Sequence, residues 1–263
     1  MSADLVLYEV RSPAAVLTLN RPDRRNALSR ALIAALSDSF ARAVDDGAVR
    51  CVIVTSAGSS FCAGMDLAEL QESLTPQREE SPIWDDALRL ANLYDRVYTS
   101  AKPTIAAING TAVAGGAGLV SVCDLAVSVP EARFGYPEVR RGLVAAMVMP
   151  HLLRHVGERT ARYLLLTGEL IGAEEAQRVG FVNAVAPADR LMETALQWAR
   201  SLAEGGPAAL ARTKELLHRF SRQSGSVEET AQASAAPRLT DECRQGLEAF
   251  FAKRPAPWAP EGT

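Results

Sequence analysis

Two short stretches of the chain, "FCAGMD" at residues 61–66 and "AVAGGAG" at 112–118, place glycine where backbone chemistry can happen. Each follows an apolar, strand-like run and opens a helix-like one. A helix start leaves its first N–H groups without intrahelical partners, and glycine lets a ligand come close to the backbone. One such turn can hold an anion. Two that converge can aim two N–H donors at one oxygen, the geometry of an oxyanion hole. For either turn alone the plainer reading, that glycine permits tight helix–sheet packing, is favoured. Phosphate loops are excluded, because the chain has no G-x-x-x-x-G-K-[ST] and "GTAVAGGAG" does not fit G-x-G-x-x-G.

The flanking pattern supplies the scaffold for such turns. "DLVLYEV" and "AAVLTLN", separated by "RSP", predict a hairpin. Ser29 is a good N-cap for a helix with apolar residues at Leu32, Ile33, Leu36, Phe40 and Val44, and Gly47 stops it. "VRCVIVTS" is a continuous apolar run of the kind found in a parallel sheet covered on both faces. "IWDDALRLANLYDRVYTS" predicts a helix, "KPTIAAING" a strand, and "DLAVSV" and "ARFGYPEV" further strand-like pieces. The stretch "QESLTPQREESP" reads as a mobile surface loop. From about residue 147 helices follow one another to "DECRQGLEAFFAKRP", with a break at Gly157, and the tail "PAPWAPEGT" is expected to be loosely held. The sum is an α/β core of strand–helix repeats with a helical C-terminal portion.

Composition narrows the function classes. The 263 residues suffice for one large domain or two small ones, and the net charge of −3, with signs interspersed, offers no footprint for nucleic acid and no polybasic membrane patch. The most apolar stretch, Thr104 to Val129, contains Asn109, four glycines and Asp124, which argues for a buried segment and against a membrane span. Cys51, Cys62, Cys123 and Cys243 have no metal-like spacing, so reduced thiols in a cytoplasmic protein and no metal are expected. Asp4 and Glu9 stand where an export signal would be basic and apolar.

Six blocks together, "LNRPDRRNALS", "SSFCAGMDL", "KPTIAAINGTAVAGGAGLVSVCDLAV", "ARFGYPEVRRGL", "LLLTGELIGAEEAQRVGFVN" and "LEAFFAKRPAPW", resemble in order and spacing the crotonase (enoyl-CoA hydratase/isomerase) superfamily. The resemblance runs from about Leu5 to Trp258. It implies a spiral of strand–strand–helix repeats over residues 1–197 and a C-terminal helical trimerisation region over 198–263. It also implies trimers or pairs of trimers acting on acyl-CoA thioesters through a stabilised enolate, with coenzyme A as part of the substrate and no separate cofactor. The oxyanion amides it implies are those of Met65 and Gly115. Coenzyme A contacts would come from Arg24 or Arg25, from the stretch Cys62, Ala63, Gly64 and Asp66, and from Phe250 and Lys253, the last pair supplied by the same chain or by a neighbouring subunit.

One departure bears on mechanism. Hydratases of this family flank a water with two glutamates; the chain has Glu138, in "FGYPEV", and Gly118 at the other position. A dienoyl-CoA isomerase would need acids at Gly118 and Ala146, which disfavours that reaction. Tyr136, Arg140 and His151 are nearby polar candidates for which a surface or core role is the plainer reading. The stretches "GGAGLVSVCDLAV" and "PEVRRGLVAAMVMPHLLRHVGER" look like hydratases of the methylglutaconyl-CoA type, several of which have glycine at the second position. The expectation is therefore an enoyl-CoA hydratase-like enzyme with Glu138 as acid/base. A 3-enoyl to 2-enoyl isomerase using Glu138 as a single proton shuttle, or a non-catalytic scaffold that binds CoA, RNA or protein, is the alternative. Pocket walls are expected from residues 71–82, the helix from Ile83 and residues 143–151.

Overall fold

A computed structural model of the chain describes residues 4–73, 83–221 and 227–257; most of the loop expected near residue 76 and most of the C-terminal tail lie outside them. The chain opens with the hairpin of β1 (Val6–Arg11) and β2 (Ala14–Leu19), paired antiparallel. α1 (Arg30–Asp45) follows, its first turn capped by Ser29, whose hydroxyl accepts from the Leu32 amide at 3.2 Å. The apolar stripe Leu32, Ile33, Leu36 and Phe40 is buried as its 3.6-residue spacing requires, each side chain contributing about 1.5–3 kcal/mol.

Three strand–strand units then repeat. β3 (Cys51–Ser56) and β4 (Ser60–Cys62) lead into α2 (Leu67–Ser73) and α3 (Ile83–Thr99). β5 (Thr104–Ile108) and β6 (Thr111–Val113) lead into α4 (Gly115–Ser121). β7 (Leu125–Ser128) and β8 (Arg133–Gly135) lead into a 3₁₀ turn at Pro137–Arg141 and then α5 (Met149–Thr167), which is broken at Gly157. The expected strand "ARFGYPEV" is thus shorter than its pattern suggests. Pro137 starts the 3₁₀ turn because it lacks the N–H that a continuing ladder would need. β9 (Leu170–Gly172), α6 (Ala173–Arg178), β10 (Ala184–Val185), α7 (Leu191–Glu204), α8 (Pro207–Ser221), α9 (Val227–Ala235) and α10 (Asp241–Phe251) complete the chain, with a 3₁₀ turn at Ala236–Leu239 before α10.

The first members of the three pairs join the β1–β2 hairpin and β10 in one sheet, in the order β1-β2-β3-β5-β7-β10, parallel from β2 onward. The second members form another together with β9, in the order β4-β6-β8-β9. Every residue of β3 and β5 is buried, as expected for parallel strands covered on both faces. All four cysteines are buried free thiols, and burial pushes Cys62 and Cys123 up to about 12. Among the described residues no helix is long and apolar enough to cross a membrane.

What this architecture does for a site is local. Each second strand ends at a turn beside the next, so residues 62–66, 113–116 and 135–138 come together across the small sheet. The C-terminal helices close that region. α9 lies along α3, and α10 packs on the 3₁₀ turn at 137–141 and on α2, burying Leu70, Leu143, Cys243 and Leu247 in a cluster of their own.

Candidate active site

The turn after β4 is stitched to the loop before α1. Leu28 donates its N–H to Gly64 O at 2.7 Å, and Asp66 donates to Leu28 O at 3.1 Å, so Met65 lies between two bonded neighbours with its own N–H turned away from that ladder. Asn26, fully buried, holds the loop in place by donating to the carbonyls of Ala57 and Ser60, each at 2.9 Å. Arg21 completes the clamp, its guanidinium 2.6 Å from Asp66 Oδ2. Burial raises the Asp66 carboxyl, but Arg21 and the amides of Ala68 and Glu69 together hold it below the usual carboxylate range.

The second turn meets the first. Gly64 has φ +86°, and a Cβ there would lie 2.7 Å from Ala114 Cβ, 3.1 Å from Val113 O and 3.2 Å from Gly115 N. Ala114 itself sits at φ 52° and ψ −128°, a region that L-residues rarely enter, immediately before α4. Its strain brings Gly115 in as the first residue of α4, where the N–H has no intrahelical acceptor. Among the described residues neither the Met65 N–H nor the Gly115 N–H has an acceptor. Tyr94, on α3 and 2 % exposed, fixes the far side of the turn by donating its hydroxyl to Gly115 O at 2.6 Å. Tyr94→Phe leaves that carbonyl short of a partner. The expected result is a loss of roughly 1–2 kcal/mol of stability and about tenfold in kcat, read by thermal melts and steady-state turnover.

Glu138 faces the same cavity from the 3₁₀ turn. Its Oε2 is buried and has no hydrogen-bond partner among the described residues. Burial pushes its carboxyl up to about 7, against the opposing pull of its own backbone amide and of the Arg141 guanidinium. An orphaned carboxylate oxygen beside a cavity is costly to keep, and a value near neutrality suits a group that both takes and returns a proton. The cavity itself has a volume of about 460 Å³, and Met65, Gly115, Glu138, Tyr94, Arg141 and Arg238 all line it.

The space a second carboxylate would need is filled. A Cβ on Gly118 would overlap the Val148 side chain and lie 2.9 Å from the Tyr94 hydroxyl oxygen. Gly118→Glu is therefore expected to cost roughly 3 kcal/mol of stability by overpacking and to add no catalytic rate. A variant that melts like the wild type and turns over faster would contradict this packing argument.

The remaining residues singled out in the sequence are distributed unevenly. Arg24 and Arg25 are exposed on the cavity rim, and Ala63 and Asp66 line it, although both Asp66 oxygens are already engaged, Oδ1 by the Ala68 amide. Cys62 is fully buried behind the turn, and Gly64 shapes the turn without being among the lining residues. Phe250 lines the cavity of its own chain, together with Phe251, and lies under the Arg141 guanidinium at 4.5 Å; Lys253 is exposed and not among the lining residues. Arg140 turns outward to Glu169 and to Thr167 O. His151 packs edge-on against Tyr98, and burial pulls it down to about 3. Tyr136 is buried close to Tyr94 and Glu138. The expected wall at 143–151 contributes Leu143 to Ala145, Met147 and Val148, and Leu90 and Tyr94 contribute from α3. Tyr94, Arg141 and Arg238 are cavity residues without a sequence signal. Tyr94 reads as an ordinary core position of an amphipathic helix, and "APRLT" around Arg238 carries no motif.

The sequence matches the family described as Enoyl-CoA hydratase/isomerase over residues 9–261. It is 44% identical over 245 residues, 92% of this chain and 95% of the other, to a Thermus thermophilus protein provisionally described as an enoyl-CoA hydratase. It is 35% identical over 243 residues, 91% of this chain and 92% of the other, to the 2,3-dehydroadipyl-CoA hydratase of Escherichia coli. Among solved structures it is similar to an enoyl-CoA hydratase from Mycobacterium avium, with a TM-score of 0.83, 35% identity, and coverage of 98% of this chain and 100% of that one.

Proposed function

The chain belongs to the enoyl-CoA hydratase/isomerase family, and from that premise we propose how its cavity adds water to a 2-enoyl-CoA thioester. It is an enoyl-CoA hydratase-like enzyme, a lyase acting on acyl-CoA thioesters, in keeping with the hydratase names its relatives carry. The isomerase alternative is not favoured.

The thioester carbonyl oxygen receives the N–H groups of Met65 and Gly115. As water adds at C3, electron density moves through the conjugated system onto that oxygen, and two preorganised donors hold the enolate where it forms. Glu138, as carboxylate, accepts the proton of the attacking water. The resulting carboxylic acid then returns that proton to C2 as the enolate collapses, so the residue ends as it began. One carboxylate serving both steps delivers oxygen and hydrogen to the same face of the double bond. Arg24 and Arg25, exposed at the rim, suit the phosphates of coenzyme A, while Phe250 and Phe251 cover the opening from α10.

The observation that carries this reading is the Oε2 of Glu138, in a cavity lined by Met65 and Gly115, where among the described residues neither that oxygen nor either N–H group has a hydrogen-bond partner. The deciding experiment mixes the purified protein with a panel of 2-enoyl and 3-enoyl acyl-CoAs and analyses products by mass and chromatography. Gain of one water on 2-enoyl substrates, lost in Glu138→Gln, supports hydration. Conversion of 3-enoyl to 2-enoyl chains with no change of mass would overturn it in favour of isomerisation.

A further inference from the structure

The cavity contains a positive charge that no carboxylate of the described residues pairs with at ion-pair distance. Arg238, in the 3₁₀ turn after α9, is only 2 % exposed and lines the cavity. Its one side-chain hydrogen bond among the described residues runs from Nη2 to Ser234 Oγ at 3.0 Å, and Ser234 also lines the cavity. The carboxylate with the largest pull on it is Asp86, but that group is bound bidentately by Arg30, at 2.8 and 2.6 Å. No carboxylate of the described residues lies within ion-pair distance of Arg238. Its other polar neighbours are the hydroxyl of Tyr94 and the thiol of Cys243, whose ordinary forms are neutral.

A buried guanidinium without a counter-ion is unfavourable unless something brings one. Burial pulls Arg238 down to about 10, which still leaves it fully protonated at neutral pH. The phosphates of coenzyme A cannot serve, since the exposed arginines that suit them stand on the rim. Arg238 instead lies near Tyr94, whose hydroxyl braces the Gly115 turn, and at 2 % exposure it stands inside the cavity, where the exposed rim arginines do not reach. Arg141, the other arginine inside, donates from Nη1 to Pro137 O, lies over the Phe250 ring and has Glu138 as a neighbouring carboxylate, although its Nε has no partner among the described residues.

We propose that the cavity selects 2-enoyl-CoA thioesters whose acyl chain carries a distal carboxylate, with Arg238 as the specificity-determining residue and Ser234 orienting its guanidinium. The selection deepens the hydratase reading above and rests on it. A planar guanidinium fork matches a carboxylate in two parallel hydrogen bonds, and desolvation at this depth makes the pair discriminating.

The test compares hex-2-enoyl-CoA with its ω-carboxylate counterpart, the mono-CoA thioester of hex-2-enedioic acid, in the wild type, Arg238→Met and Arg238→Lys. Binding of the saturated pair, hexanoyl-CoA and the mono-CoA thioester of adipic acid, is followed alongside by calorimetry. The wild type is expected to favour the carboxylate chain in kcat/KM by on the order of 10²-fold. Arg238→Met is expected to collapse that ratio towards unity, and Arg238→Lys to keep part of it. Equal or better use of the neutral chain by the wild type overturns the proposal, whether or not the variants fold. So does an equal loss on both chains in Arg238→Met. If neither enoyl chain is hydrated while the saturated carboxylate still binds more tightly through Arg238, the hydratase reading fails and the pocket assignment stands.

Discussion

Replacing Glu138 by Gln is expected to lower hydratase turnover by about 10³-fold, because the variant keeps the shape of the cavity and loses the carboxylate that takes and returns the proton. The pH dependence is the sharper readout. With its carboxyl pushed up to about 7, the wild type needs that group ionised to accept the proton of water, so kcat/KM rises through neutrality to a plateau. The variant shows no such limb. Stability moves the other way. Glu138 is raised above its ordinary value of 4.5, so its burial costs nothing below about pH 4.5, where the carboxyl is neutral in both folded and unfolded chains. The cost grows as the pH climbs and is complete above about 7. Glu138→Gln should therefore equal the wild type in stability below about pH 4.5 and exceed it by roughly 3 kcal/mol at pH 8. A variant that turns over normally, or whose stability difference does not grow with pH, removes Glu138 from the mechanism.

Gly64→Ala is the second large effect. The residue is held at φ +86°, where an L side chain is strained, and the added Cβ meets Ala114 Cβ at 2.7 Å and Gly115 N at 3.2 Å. Relief requires the two turns to separate. The Met65 and Gly115 amides then no longer converge on one oxygen, and losing one such donor typically costs 10²–10³ in kcat. The expected outcome is a drop of about that size, with roughly 1–3 kcal/mol of lost stability and little change in the affinity for free coenzyme A. Turnover within a factor of two of wild type would mean that the amides do not act as a pair.

Much of this is legible in the sequence. The period of 3.6 in α1, the cap at Ser29 and the unbroken apolar runs of β3 and β5 each predict the element that forms, because these are local properties of the chain. "ARFGYPEV" was less legible: a proline two residues after a glycine ends the strand early and moves Glu138 onto a 3₁₀ turn. The glycine turns could be named as paired donors only through the resemblance, since either turn alone is as well explained by packing.

By itself, then, the sequence determined the element types, the two turns, the single acid at Glu138 and the family. Tertiary structure alone decided what those residues meet. The place of a second acid at Gly118 is taken by Val148 and by Tyr94 from α3, which no local pattern around residue 118 encodes. Arg238 becomes a cavity residue only because α9 lies along α3, more than 130 positions earlier in the chain than the turn it carries. Periodicity and capping are written within a few residues of one another. A charge acquires its role from the low-dielectric surroundings that distant segments provide when they pack.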